Sequence, residues 1–189
     1  MSMSNSDKWT EWYKHLSKDS APSPFVYGNT ITYEKGYNFL KSCKKVEDWG
    51  CGAGGFKRFF LENKDAYVGI DGSTTPFSDI KVDLVTYKSN TDGIYMRHVL
   101  EHNYEWKQIL RNALYSFREK MCLVLFTPFS SETKKIADNL YQGVDVPDLS
   151  FSKEELISVF DEFSVNYEFE SLNTATGHGI EHVIYLRKN

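Results

Sequence analysis

Apolar and polar positions along the chain follow two rhythms, and the change from one to the other marks out the elements. Residues 46–49 and 67–70 suit short buried strands, and Asp71 stands at the tip of the second. Between them lie the four glycines of Gly50-Cys51-Gly52-Ala53-Gly54-Gly55, a turn the backbone can take tightly. The apolar face of a helix follows at residues 56–61, so the segment reads as β-α-β. Upstream, Trp9, Trp12, Tyr13 and Leu16 recur at i, i+3, i+4 and i+7, one face of a helix over residues 8–18 that packs back on the domain or over a ligand. Pro22 and Pro24 mark a linker, and a further helix is expected over 33–42.

Downstream of Asp71 there is room for a turn or two before Asp83-Leu84, where a full crossover helix would normally stand. A fourth strand is expected over 93–97. A helix over 103–117 carries Trp106, Ile109, Leu110, Ala113, Leu114 and Phe117 on one side. The continuous apolar run at 121–126 suits a central parallel strand covered on both faces. Residues 128–150 read as an insertion with one helix at 132–141, and Ser152-Lys153-Glu154-Glu155 is a capping box opening a helix through Phe160. Strands at 164–170 and 181–187, joined by residues 173–179, complete the pattern.

A strand feeding a glycine turn, with a carboxylate at the tip of the next strand, places backbone N–H groups and an acid where the ribose hydroxyls of a nucleoside can be held. Gly50-x-Gly52-x-x-Gly55 with Asp71 about 20 residues on also satisfies the dinucleotide fingerprint of nicotinamide enzymes. The acidic Glu47-Asp48 points elsewhere, because a carboxylate two residues before the first glycine suits a cationic ammonium and sulfonium and repels a pyrophosphate. A glycine-rich turn that binds nothing is the plainest alternative.

With Cys51 and Ala53 between the glycines and Val99-Leu100-Glu101-His102 further on, the pattern resembles the class I S-adenosylmethionine (SAM)-dependent methyltransferases, over about residues 40–189. The resemblance implies an α/β, Rossmann-like three-layer sandwich with a mostly parallel seven-stranded sheet and an antiparallel last strand. It divides the chain into an N-terminal helical extension or lid, residues 1–43, and a methyltransferase domain, residues 44–189. Tyr27, Thr32 and Tyr33 become lid candidates, with ordinary packing as the alternative. SAM is the implied cofactor: Asp48, Gly50, Gly52 and Gly54 around its methionine end, Asp71 at the ribose, and Asp83 with Leu84 at the adenine. Cys51, Gly72 and Arg97 complete the expected cofactor set.

Composition narrows the acceptor. The 189 residues fit one domain and carry a net charge of −4 with acids and bases mixed, so a broad cationic face for a phosphate backbone is not expected and a nucleic-acid substrate is disfavoured. Cys43, Cys51 and Cys122 show no CxxC spacing and read as reduced structural thiols. The N-terminus lacks a secretory pattern and no apolar run approaches membrane-spanning length, so a soluble cytoplasmic protein is expected. The 12 Tyr and 13 Phe are explained mostly by core packing.

In an open α/β sheet the ligand crevice lies off the carboxyl ends of the parallel strands. The glycine loop, residues 98–103, the insertion and the loop around His178 converge there. Methyl transfer from a sulfonium needs an aligned acceptor and, for a hydroxyl, a base, and histidine has the resting pKa for that work. His98 is the first candidate base and His178 the second, with Arg97 placed to orient the acceptor; the bland reading has His98 and His102 only packing the helix start. By analogy with stand-alone sugar and small-molecule O-methyltransferases, the expected acceptor is a sugar, glycan or other small polar hydroxyl. A nucleic-acid or protein methyltransferase, or a non-catalytic SAM-binding partner subunit, is the alternative, and a homodimer is compatible with the sequence. His98-x-x-Glu101-His102 also matches the H-x-x-E-H of inverted zinc proteases, but that motif needs a continuous helix and a distant third ligand, and here it begins at a strand end. No metal site is assigned, although a divalent ion held by His98, Asp145, Asp148 or His178 is chemically compatible with mixed oxygen and imidazole ligands.

Overall fold

The computed structural model describes residues 5–13, 31–141 and 144–189. Its strands are β1 (Val46–Trp49), β2 (Tyr67–Asp71), β3 (Ile80–Lys81), β4 (Thr91–Arg97), β5 (Phe117–Leu125), β6 (Lys134–Tyr141), β7 (Val144–Ser150), β8 (Asn166–Asn173) and β9 (Ile180–Arg187). Its α-helices are α1 (Asn5–Tyr13), α2 (Ile31–Leu40), α3 (Trp106–Ser116) and α4 (Lys153–Asp161). Seven strands form one sheet in the order β3-β2-β1-β4-β5-β9-β8, while β6 and β7 form a separate antiparallel pair. β1 to β5 run parallel, and the last strand, β9, runs antiparallel to both β5 and β8.

The central strands of the sheet are buried on both faces, whereas β3 and β8 at its edges are largely exposed, and the pleat divides the buried side chains into two cores. Ile94 and Met96 of β4 join Met121, Leu123 and Leu125 of β5 on the side covered by α3 and α4, with Trp49, Trp106 and Phe160. Tyr95, Cys122, Val124 and Val183 face the other side, where Leu40 of α2, Phe56 and Phe60 pack. This is the three-layer arrangement expected, and every residue of β4 is buried, as a central strand between two layers requires. The three cysteines are free and buried. Among the described residues no helix is long and apolar enough to cross a membrane.

Two local expectations are corrected. Residues 132–141 do not form a helix: β6 occupies this stretch and pairs with β7 from Lys134↔Ser150 to Tyr141↔Val144. Lys134, Lys135, Ile136 and Asp138 are exposed, and pairing with β7, whose Val146 and Leu149 are buried, satisfies the backbone of the stretch in place of helical hydrogen bonds. After the glycine loop, Lys57–Phe60 is a 3₁₀ turn and not an α-helix. Phe56 and Phe60 reach the core, but Leu61 is left in solvent and the run is too short to propagate. Elsewhere the shifts are small: α2 begins at Ile31 and buries Thr32, Gly36 and Leu40, and β5 starts at Phe117. β3 has two residues, in keeping with the stripped crossover, and Ser152 caps α4 by accepting from the Glu155 amide at 3.3 Å.

Candidate active site

β1 has β2 on one side and β4 on the other, so the chain's order reverses at β1 and a crevice opens at the carboxyl ends of these strands. The glycine loop fills that position. Gly50 takes φ +78°, and a Cβ there would stand 2.3 Å from Val99 Cγ2, so both backbone and space demand glycine. Gly52, at φ +47°, donates its amide to Asp71 Oδ2 at 2.9 Å. The other Asp71 oxygen accepts from the Ser73 amide at 2.8 Å and from the Ser73 hydroxyl. Burial raises the Asp71 pKa, against these hydrogen bonds, which lower it.

Asp48 lies behind the loop, almost fully buried, and accepts from the Tyr67 hydroxyl at 2.8 Å. Burial pushes its pKa up to about 7, against the Tyr67 hydrogen bond, which lowers it. Burial also raises the Cys51 thiol, which makes it a poor nucleophile at neutral pH. Glu47 points to the opposite face of β1 and is engaged by the Trp49 indole and the Ser89 hydroxyl.

A cavity of about 550 Å³ lies in front of this loop, within the range of small-molecule sites. Its walls bring together six of the expected residues: Gly50, Asp71, Gly72, Asp83, Leu84 and His98. The Asp83–Leu84 corner is fixed by Asn112 of α3, whose amide donates to the Leu84 and Val85 carbonyls at 3.0 and 2.8 Å. Asp48, Cys51, Gly52, Gly54, Arg97 and His178 do not line this cavity; Gly52 meets it through Asp71, and Gly54 lies against Phe77 on another side of the loop. Trp9 and Tyr13 of α1 form its outer wall, and the Thr10 hydroxyl accepts from the Thr74 amide at 2.9 Å. The Tyr13 hydroxyl reaches within 2.5 Å of where a Gly52 Cβ would stand. Thus α1 packs over the crevice, although Trp9 and Tyr13 were not among the expected site residues. Thr32 and Tyr33 of α2 meet Arg97 at the end of β4, the middle strand of the sheet, and Tyr27 and Leu16 lie outside the described residues.

A second group surrounds the end of β4. His98 continues the β4–β5 pairing by donating its amide to Val124 O at 3.0 Å, then turns at φ +57°, a conformation rare outside glycine. That turn aims its ring into the cavity wall. His98 Nε2 lies 2.7 Å from Glu181 Oε1, so the carboxylate assigns the proton to Nε2 and leaves the lone pair on Nδ1. Burial and the neighbouring Arg97 charge lower the His98 pKa to about 3, keeping the ring neutral. Arg97 donates to Glu181 Oε1 at 2.8 Å, to the Thr32 hydroxyl at 3.0 Å and to the Tyr33 hydroxyl at 3.1 Å, and lies over the Tyr33 ring. Its guanidinium therefore anchors α2 and β9.

Asp148 of β7 joins two further histidines: Oδ2 is 3.1 Å from His178 Nε2 and Oδ1 is 3.4 Å from His102 Nδ1, which also donates to Pro147 O at 2.9 Å. Phe126 packs between the rings of His98, His102 and His178, 4.7, 5.5 and 5.6 Å from each. Glu101 is fully buried, accepts from the Phe126 amide, and is pushed up to about 8 by burial. His182 lies in β9 stacked on Phe129, away from this group. Among the described residues no set of three His, Cys, Asp or Glu is arranged to hold a metal ion. The sequence signal for Glu181 was an acid inside the otherwise apolar β9 run, which marks a buried pair. Ser73, two residues after Asp71, carried no such signal.

No protein-family model matches the chain, and no curated protein matches it in sequence. Solved structures do match in fold. Magnesium protoporphyrin IX methyltransferase from Synechocystis PCC 6803, with bound SAM, superposes at a TM-score of 0.69 and 11% identity, covering 100% of this chain and 99% of that one. The Burkholderia thailandensis 1,6-didemethyltoxoflavin N1-methyltransferase, with bound S-adenosylhomocysteine, gives 0.65 at 14% identity, covering 95% and 84%. The methyltransferase domain of a bacterial Hen1 gives 0.58 at 16% identity, covering 85% and 99%. At these identities the likeness establishes the fold, which is the Rossmann-like fold of SAM-dependent methyltransferases.

Proposed function

We propose that the chain is a SAM-dependent methyltransferase acting on a hydroxyl of a small polar acceptor, a sugar or glycan foremost. The observation that carries this is the crevice: an acid on β2 held by the glycine loop's own amide, a buried Asp48 behind the loop, and Asp83 and Leu84 in the wall of the same cavity. The residues fit the cofactor, since glycines leave backbone close to the cavity and Asp48 supplies negative charge for an ammonium group. Asp71 would hold the ribose, Asp83 and Leu84 the adenine, and Trp9 and Tyr13 would close over it as a lid.

Bound SAM would supply a methyl group already activated on a sulfonium. The chain's part is to align the acceptor oxygen and take its proton. His98 is the first candidate: its lone pair stands on Nδ1, and Glu181 holds the opposite nitrogen, so the ring is fixed and an imidazolium formed on it would face a carboxylate. His178, oriented by Asp148, is the second, and Arg97 acts by positioning Glu181. Incubation with methyl-labelled SAM and a panel of sugars and small polyols tests the reading. Transfer of label supports it; uptake of cofactor without transfer to any acceptor assigns the chain to the non-catalytic SAM-binding class.

A further inference from the structure

A second cavity, of about 660 Å³, opens beside the 3₁₀ turn that follows the glycine loop. Three cations, Lys57, Arg58 and Lys64, stand around it, and Phe60, Tyr67 and Phe77 form apolar wall. Lys57 is matched by Asp79 at 3.2 Å and lies 5.6 Å from the Tyr67 ring centroid. Arg58 lies 5.6 and 5.1 Å from the rings of Tyr33 and Phe59, which fix its guanidinium plane, and among the described residues no carboxylate pairs with Arg58 or Lys64. In a chain of net charge −4, this cavity keeps two cations unmatched over an apolar floor. Such a lining suits a ligand with an anionic head and an apolar body.

The floor is wired to the glycine loop. Phe77 packs so closely on Gly54 that a Cβ there would meet its ring at 2.8 Å, and the Tyr67 hydroxyl is the hydrogen-bond donor to Asp48. We propose that this cavity is an accessory site for a small organic phosphate or carboxylate with an aromatic or short acyl body, and that its occupant tunes the cofactor loop through Phe77–Gly54 and Tyr67–Asp48. Binding itself is independent of the function proposed above; the tuning rests on it.

Calorimetry with phenyl phosphate tests both parts, using the full chain and the double variant Arg58→Gln, Lys64→Gln, whose thermal melt checks folding. Phenyl phosphate binds the wild type, and binding weakens about tenfold or more in the double variant, as expected when charge-assisted contacts are lost. Benzyl alcohol, lacking the charge, and inorganic phosphate, lacking the ring, each bind at least about tenfold more weakly than phenyl phosphate. Saturating phenyl phosphate shifts the affinity for S-adenosylhomocysteine about threefold or more in the wild type and not in the variant, whose affinity without phosphate is unchanged. Absent phenyl phosphate binding at millimolar concentration, equal binding to the double variant, or equal binding of benzyl alcohol overturns the site. An S-adenosylhomocysteine affinity indifferent to phenyl phosphate overturns the tuning. A chain that binds phenyl phosphate but no S-adenosylhomocysteine refutes the cofactor reading and leaves the anion site supported.

Discussion

The glycine-loop half of the crevice and the histidine half are built differently. The first comes from one continuous stretch, β1 to Leu84, and works largely through backbone: Gly52 and Ser73 amides on Asp71, and glycines whose missing side chains let Val99, Tyr13 and Phe77 pack against the loop. The second is assembled from α2, the end of β4, β7 and β9, and works through side-chain pairs, with Glu181 joining Thr32, Arg97 and His98 and Asp148 joining His102 and His178. A site made of contiguous backbone survives changes in distant elements. One made of buried charges from four segments is coupled to the stability of the whole sheet.

The largest effect should come from cutting that coupling. Glu181→Ala leaves the Arg97 guanidinium buried without its carboxylate, and loss of one partner of a buried pair costs about 3 to 5 kcal/mol. A denaturation midpoint close to the wild type would show that the pair is structurally idle. Next in size, Asp71→Ala should weaken S-adenosylhomocysteine about tenfold or more in calorimetry, by loss of hydrogen bonds to a charged acceptor, while His98→Ala changes that affinity by less than about threefold. Equal losses in the two variants would erase the distinction between the halves.

A pH comparison separates them further. The Asp48 carboxyl is raised from 3.8 to about 7, so the stability contributed by its protonated form is complete below pH 4 and is lost as the pH rises through 7. Asp48→Asn should therefore gain about 2 kcal/mol over the wild type at pH 8 and little at pH 4, in urea melts. On the proposed reading the ionised form faces the ammonium, so wild-type affinity for SAM should rise with pH through 7 and the Asn variant should lose that slope; a wild-type affinity flat from pH 6 to 8 contradicts the assignment. The smallest effect is expected at the lid: Trp9→Ala should weaken S-adenosylhomocysteine about threefold, the scale of one aromatic contact. An unchanged affinity would leave α1 as packing alone.

The same contrast explains what could be read from the residues. Gly50, Asp71, Gly72, Asp83, Leu84 and His98 line one cavity because they follow strand ends in sequence, where the fold's topology fixes their place. Ile70 and Leu123 announced their strands through apolar runs. Residues 132–141 misled because Ile136, Ala137 and Leu140 space like a helix, whereas pairing with β7 decided their state; propensity is a weak prior against such a partner. The Phe56–Leu61 run misled through its length. Asp148 reads in the sequence only as a candidate ion ligand beside His178, whereas it pairs with that ring directly; Glu181 and Ser73 were not among the expected site residues, since Glu181 acts on residues far away in sequence and Ser73 through a local backbone turn.

Parallel calorimetric titrations of the purified chain with S-adenosylhomocysteine and with NADH test the central claim most directly. Saturable heat with S-adenosylhomocysteine, abolished or strongly weakened in Asp71→Ala, and no heat with NADH is the predicted result; heat with NADH and none with S-adenosylhomocysteine would contradict it.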